Sequence, residues 1–343
     1  MRFHTAITEM FGIKHPILCG GMAWVCTPKL CAAISNSGGM GTLTAANYES
    51  EDEFRKAIEE TRRLTDRPFM VNITLMPSIR ITPEHHKMYI RVCSEEHVAG
   101  IEFSGKPLDL ALGLDWIERL KKAGVKIFQK VGALRHALHA EKVGYDGVYA
   151  AGFEEGGHPL NDDVTTMILT PKIARSIKIP VVAAGGMGDG YSLAAALVLG
   201  AQGIMMATRF IVTQECEVHE HIKKELIKRQ EYETVIFGKT IGLQGRALKN
   251  KVINEILEIE KKGGGLQEIL PFIHGKRIRE AWETGNMEAA PLMVGQSIGL
   301  IEDVPSCQEL IERVVQDAIT QISRVNKIIV KELENGGERD GRR

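Results

Sequence analysis

Short apolar runs recur along the first two thirds of the chain, and a polar or glycine-bearing turn follows each of them. The runs are HPILCGG (15–21), GMGTLTA (39–45), FMVNITL (69–75), VAGIEFS (98–104), VKIFQKV (125–131), DGVYAAG (146–152), PVVAAGG (180–186) and QGIMMAT (202–208). Several are apolar at consecutive positions, as parallel strands covered on both faces must be. Between them lie segments such as EDEFRKAIEETRRL and LDWIERLKKAG, whose aliphatics fall at helical spacing. Eight strand–helix repeats predict an α/β chain closed as a TIM (β/α)8 barrel over residues 1–213.

The rhythm then stops. Residues 214–302 carry charge-rich helical stretches (HEHIKKELIKRQ, NEILEIEKKGGG), which predict a small helical insertion after strand eight. In PSCQELIERVVQDAITQISRVNKIIVKEL, Ser306 and Glu309 have capping-box spacing, and Leu310, Val314, Ile319, Ile322, Val325 and Ile329 form one apolar stripe. This segment, 303–335, is the expected last barrel helix. The tail NGGERDGRR is too polar to pack, so 336–343 is expected to be flexible.

Composition narrows the function. With 343 residues and 44% hydrophobic content the chain can bury a large core without covalent staples. Its 43 basic and 44 acidic residues leave a net charge of -1, which offers no broad attraction to nucleic acid or anionic lipid. Small molecules are the expected partners. No run has the length of a membrane span and MRFHTAITEM lacks an apolar signal core, so a cytoplasmic location is expected. The six cysteines show no CxxC spacing, which argues against a zinc site or a disulfide framework. No metal is expected, and a homodimer is left open.

In a barrel of this kind chemistry sits just beyond the carboxyl ends of the strands. The small-residue loops after strands seven and eight, with Gly185, Gly186 and Thr208, have the positions and backbone freedom of a phosphate cradle; plain tight turns are the bland alternative. Lys130 ends an otherwise apolar strand. It can snorkel out of the mouth, serve as a Schiff-base lysine, or offset negative charge on a cofactor. Asn72 and the side-chain-poor GGM at 20–22 suit a flat ring lying across the mouth. His158 lies between two glycines and Pro159 at the end of strand six, which separates it from the ten other histidines, read as surface or structural. Its neighbours Glu154, Glu155, Asp162 and Asp163 are read as solvated loop charges.

Taken in order, GGM (20–22), NITLMP (72–77), GFEEGGHP (152–159), AAGGMGDG (183–190) and MATRF (206–210) resemble the nitronate monooxygenase family of FMN-dependent barrels, and the likeness runs through most of the chain. FGIKHPILCGGMAWV, LTDRPFMVNITLMP, RHALHAEKVGYDGV and MVGQSIGLIEDVPSC resemble its NADH:quinone reductase branch. The resemblance implies FMN with its phosphate at Gly185, Gly186, Ala207 and Thr208. It places the ring near Gly21, Met22, Asn72 and Gly152, Lys130 close to the flavin, and His158 toward the substrate. Two departures stand out: Ala207 replaces a common glycine, keeping its N–H, and Leu160–Asn161 interrupts the loop after His158. Thr165, Thr166 and Met167 are instead similar to the flavin-dependent enoyl-acyl-carrier-protein reductases of the family.

The implied activity is a two-step oxidoreductase: NADH or NADPH reduces the flavin, which then reduces a small acceptor such as a quinone. Oxidation of alkyl nitronates with O2 and reduction of an enoyl thioester are the alternatives. The last would need a basic docking patch, for which HIKKELIKR and GKRIR are candidates. PSIRITPEHHKMY is the expected lid. A flavin-binding module without turnover and a Schiff-base aldolase are readings of other classes.

Overall fold

The computed structural model describes residues 2–78 and 80–336. Each of the eight apolar runs contains one strand: β1 (Ile17–Cys19), β2 (Gly41–Thr44), β3 (Phe69–Leu75), β4 (Gly100–Gly105), β5 (Lys126–Val131), β6 (Gly147–Ala151), β7 (Val181–Ala184) and β8 (Gly203–Met206). All are parallel, in the order β1-β8-β7-β6-β5-β4-β3-β2. A bridge between Leu18 and Met40 joins β1 to the start of β2 and closes the ring, with Cys19 N–H donating to the Met40 carbonyl at 2.9 Å. The predicted TIM barrel is the observed fold.

The helices between strands start where their caps are. Ser50 and Glu53 form a capping box at the head of Glu51–Leu64, and Thr27 caps Pro28–Asn36 with proline in the first turn. Phe54 and Ile58 of Glu51–Leu64 are fully buried against the barrel wall, each worth about 1.5–3 kcal/mol of burial. Inside the barrel, Leu18, Met40, Met70, Phe128, Tyr149, Val182 and Met205 fill the lower part, and Ile7 and Phe11 of the short helix Ala6–Phe11 close the floor. Period-2 alternation on β3, β4 and β5 then brings Asn72, Glu102 and Lys130 to the upper part of the bore, above Met70 and Phe128. All six cysteines are buried and free.

Residues 214–302 differ from a purely helical insertion. Beside helices such as Glu220–Leu226, Lys251–Lys261 and Gly275–Thr284 they hold an antiparallel pair, β9 (Thr234–Phe237) and β10 (Gly245–Leu248). Phe237, Ala247, Val252, Ile253, Ile256 and Ile269 make a small core of their own. Ile222, Leu226, Trp282, Leu292 and Val294, however, pack into the same cluster as the barrel residues Ile17, Leu30 and Phe210. The insertion is thereby fastened to the barrel by apolar packing.

The helix Cys307–Gly336 begins with the expected capping box, Glu309 N–H donating to Ser306 Oγ at 3.2 Å and Ser306 N–H to Glu309 Oε2 at 2.8 Å. Leu310 and Val314 are buried and Ile319 and Ile322 partly so, but Val325 is exposed, because the helix is much longer than its packing partner Gly190–Val198. The Ile329 side chain and the tail from 337 lie outside the described residues. The expected lid divides as well: Pro83–Glu95 is a barrel helix with Tyr89 and Ile90 in the core, leaving only a short loop before it. Among the described residues no helix is long and apolar enough to cross a membrane.

Candidate active site

The residues singled out in the sequence converge at the carboxyl ends of the strands, on one rim of the barrel. Gly21 and Met22 follow β1, and Asn72 faces inward from β3. A Cβ added at Gly21 would lie 2.1 Å from Asn72 Cγ, so only glycine lets this loop lie against the amide. Asn72 is buried; its Oδ1 accepts from the Thr74 hydroxyl at 3.3 Å, and its Nδ2 has no hydrogen-bond partner among the described residues. A buried donor left without an acceptor costs about 1–3 kcal/mol. At the rim of a bore such a donor is available to an acceptor on a bound molecule.

On the far side, Gly152 packs so closely that an added Cβ would lie 2.0 Å from Thr166 Oγ1, and its N–H donates to the Ala184 carbonyl at 2.9 Å. Gly185 and Gly186 have φ of +86° and +75°, the left-handed region that favours glycine. Ala207 precedes the helical turn Thr208–Ile211, whose first N–H groups have no partner within the turn. The Thr208 hydroxyl, expected to face the phosphate directly, also accepts the Gly295 N–H at 2.9 Å, so the insertion pins it. Arg209 plays no part at the rim: it is buried and paired with Asp303 at 2.6 Å, and burial pushes its pKa down to about 10.

Lys130 does not snorkel. Its Nζ donates to Glu155 Oε1 at 3.1 Å and to the His158 carbonyl at 2.9 Å, and both side chains are nearly nine-tenths covered. An ammonium held by an acid and a carbonyl has no lone pair to offer, which counts against the Schiff-base reading. Glu155 is therefore no solvated loop charge; burial raises its pKa while the Lys130 charge opposes the rise. Glu154 is also engaged, accepting from Thr166 N–H at 3.0 Å and capping the helix Thr166–Ala174. Asp162 and Asp163 keep the surface role, paired with Arg135 at 2.8 Å and Lys239 at 3.1 Å.

His158 is held from the insertion. Its Nδ1 lies 2.9 Å from the Gln244 carbonyl, which can only accept, so Nδ1 carries the proton and Nε2 the lone pair. Burial lowers its pKa below the usual 6.5, partly offset by the Gln244 carbonyl, and the Lys130 charge lowers it further. The imidazole is neutral near pH 7. Gln244 Nε2 donates back to the Pro159 carbonyl at 2.9 Å, and the Gly157 and Arg246 backbones exchange bonds of 3.1 and 2.6 Å, so β10 extends along the loop. The buried Arg246 guanidinium donates twice to the Phe153 carbonyl, at 3.2 and 3.0 Å, and once to Thr234 Oγ1 at 3.0 Å.

One group was overlooked in the sequence. Glu102 on β4 is 2% exposed and accepts the Gly21 N–H at 3.0 Å and the Ser104 hydroxyl at 3.3 Å. The Asn72 amide approaches it without hydrogen-bond geometry. Its signal in VAGIEFS, one charge within an apolar strand, is the signal that marked Lys130 in VKIFQKV. Of the two basic runs, HIKKELIKR is largely neutralised: Lys223 pairs with Glu220, Lys228 with Glu225 and Arg229 with Glu233. In GKRIR, Arg279 stacks over Trp24, which Arg80 also covers.

The nitronate monooxygenase family model matches residues 4–317. A Rhodococcus jostii protein, "(3aS,4S,5R,7aS)-5-hydroxy-7a-methyl-1-oxo-octahydro-1H-indene-4-carboxyl-CoA dehydrogenase", is 32% identical, covering 94% of this chain and 98% of its own. A probable nitronate monooxygenase of Staphylococcus saprophyticus is also 32% identical over 93% of this chain and 98% of its own. Among solved structures, FabK from Thermotoga maritima superposes with a TM-score of 0.87 at 35% identity, covering 95% of this chain and 99% of that one. A family match along nearly the whole barrel, together with the glycine loops, the inward Asn72 and the histidine loop after β6, places this chain in the nitronate monooxygenase family.

Proposed function

We propose that the protein is an FMN-dependent oxidoreductase that moves electrons between a nicotinamide cofactor and a small carbonyl-bearing substrate, with an acyl thioester as the preferred class. The observation that carries the flavin assignment is the orphaned Asn72 Nδ2 beneath the Gly21 loop: a buried donor on a rim kept flat by glycine fits an acceptor-bearing planar ring. When bound, FMN would supply hydride transfer, chemistry that no side chain here provides. Gly185, Gly186, Ala207 and Thr208 would hold its phosphate through backbone N–H groups, and Gly21, Met22, Asn72 and Gly152 its ring.

The protein's own groups do the rest. Lys130, locked by Glu155 and the His158 carbonyl, holds a cation at the rim at no cost of reorganisation. His158 Nε2, its lone pair directed away from Gln244, takes a proton from a substrate carbon or hydroxyl as hydride leaves, or returns that proton in the reverse direction. The thioester class is supported by the acyl-CoA substrate in the Rhodococcus relative's name and by Thr165, Thr166 and Met167, which resemble the enoyl-acyl-carrier-protein reductases. A quinone acceptor rests on the motif likeness to the quinone reductase branch alone.

The second reading, oxidation of nitroalkanes or their nitronates with O2, is favoured by the neutral His158, whose state is that of a base rather than an acid. Anaerobic mixing of the yellow protein with NADH or NADPH separates the two. Rapid bleaching, followed by reoxidation with an enoyl-CoA or a quinone, supports the reductase and identifies its acceptor. No bleaching together with nitronate-dependent oxygen uptake rejects it in favour of the second reading, and a colourless protein that cannot be reconstituted with FMN rejects both.

A further inference from the structure

Glu102 is a carboxylate inside the bore with no contacting cation among the described residues. Its neighbours are Asn72 from β3, Ser104 on its own strand, Lys130 from β5, Tyr149 from β6, and Gly21 and Cys19 from the β1 side. Lys130 is committed to Glu155 and the His158 carbonyl. The Tyr149 hydroxyl donates to Met70 Sδ at 3.3 Å, and Cys19 lies 3.8 Å from Cys26, both sulfurs directed at the Gly20 carbonyl. Burial raises the pKa of Glu102 to about 7 against the Gly21 N–H and the Lys130 charge, so the group is poised between its two forms at neutral pH. Burial and the Glu102 charge push Tyr149 up, and the Cys26 contact together with burial pushes Cys19 up, so neither competes for the role of proton carrier.

Resting on the flavin reading above, we propose that Glu102 is a positioning residue that binds a proton from solvent when the ring site gains negative charge, keeping the charge of the bore constant across the hydride step. The geometry supplies the coupling. Gly21, whose loop is proposed to bear the ring, donates directly to Glu102, and the Asn72 amide stands beside it, so charge added above them falls on the carboxylate across low-dielectric protein. The balance closes: one hydride reaches the ring site and NAD(P)H leaves as NAD(P)+, while one solvent proton forms an O–H bond on the carboxylate. The protonated acid then keeps one oxygen for the Gly21 N–H, so the loop does not move.

The test is an electrochemical titration of the FMN-loaded protein across neutral pH, which needs no nicotinamide and so stands apart from the choice of donor. Above pH 7, where Glu102 is largely ionised before reduction, the wild-type midpoint potential should respond to as much as one more proton per two electrons than that of Glu102→Gln. The difference is a tenfold change in equilibrium constant per pH unit, or ~30 mV. Glutamine keeps an oxygen for Gly21 and cannot titrate. Equal slopes in the two proteins overturn the proposal. A measurement on wild type alone covers failure of the variant to fold: the reduced-minus-oxidised infrared difference spectrum should show a protonated carboxyl band with loss of a carboxylate band, and its absence overturns the proposal equally. Failure of NADH and NADPH to reduce the flavin would remove the assigned donor but leave this result standing.

Discussion

Gly21→Ala gives the most direct check of how the rim is built. The added Cβ would lie 2.1 Å from Asn72 Cγ, 2.3 Å from its Cβ and 2.5 Å from its Nδ2. Carbon atoms rest at about 3.5–4.0 Å, so the amide must move by more than an ångström. Asn72 belongs to a strand paired on both sides, so its Cβ cannot slide away; the amide has to rotate, giving up its 3.3 Å contact with Thr74, and the Gly21 loop has to lift off the Asn72 Cβ. Overpacking of this kind costs about 1–3 kcal/mol. At roughly 2 °C per kcal/mol for a chain this long, the apoprotein Tm should fall by roughly 2–6 °C. Displacing the donor that the ring is proposed to use should weaken FMN binding by about tenfold or more, since 1.4 kcal/mol is one decade. Thermal melts of the apoprotein and a fluorescence-quenching titration with FMN read the two effects separately. Combining Gly21→Ala with Asn72→Gly removes both the amide and the Cβ that the new methyl would meet, so the Tm should recover part of the loss while FMN affinity stays low. An unchanged Tm and affinity in Gly21→Ala, or simple addition of the two Tm losses in the double variant, would refute the reasoning.

His158→Ala should keep FMN binding and flavin reduction but slow the substrate half-reaction by about 10²–10⁴, measured by stopped-flow absorbance; and because burial lowers its pKa, a step needing the lone pair should persist through pH 7 and fail only as pH drops through a value below 6.5, so an inflection above that value counts against the assignment. Arg246→Met leaves the half-buried Phe153 carbonyl without its two donors and should cost about 1.5–3 kcal/mol in urea unfolding while slowing turnover more than it weakens FMN binding; wild-type stability would show that the guanidinium does not hold the loop. Glu102 is raised from the usual 4.5 to about 7, so the folded state binds more protons than the unfolded one between those values and wild type loses stability as pH rises through them. Glu102→Gln lacks this loss, and its stability relative to wild type should increase between pH 5 and 8 by up to about 3 kcal/mol, at 1.36 kcal/mol per pH unit; denaturant curves that keep a constant offset at the two pH values would exclude it.

Most of the barrel was legible because its cause is local. A buried parallel strand must be apolar on both faces, and each of the eight runs contains a strand. The glycines after β1, β6 and β7 were legible for the same reason, since a close approach or a left-handed turn excludes a side chain at that position. The hairpin β9–β10 was missed because TVIF and GRAL are short and lie among charge-rich helical stretches, where periodicity carries little weight. Glu102 was missed although it carried the same mark as Lys130, a charge near the end of an otherwise apolar strand. Glu155 was misread because its neighbours in sequence are polar, whereas its partner in space is Lys130.

By itself the sequence determined the strand count, the positions of the glycines and the rim residues, since these follow from the preferences of short segments. Only the tertiary structure decided what those residues can do. The proton on His158 Nδ1 is assigned by Gln244, 86 positions away, and Lys130 is held by Glu155 and the His158 carbonyl, 25 and 28 positions away. Glu102 owes its near-neutral titration to burial among strands from across the first half of the chain. Tautomer, ion pairing and proton affinity are set by the few atoms within hydrogen-bond reach and by the exclusion of water around them, and chain spacing encodes neither.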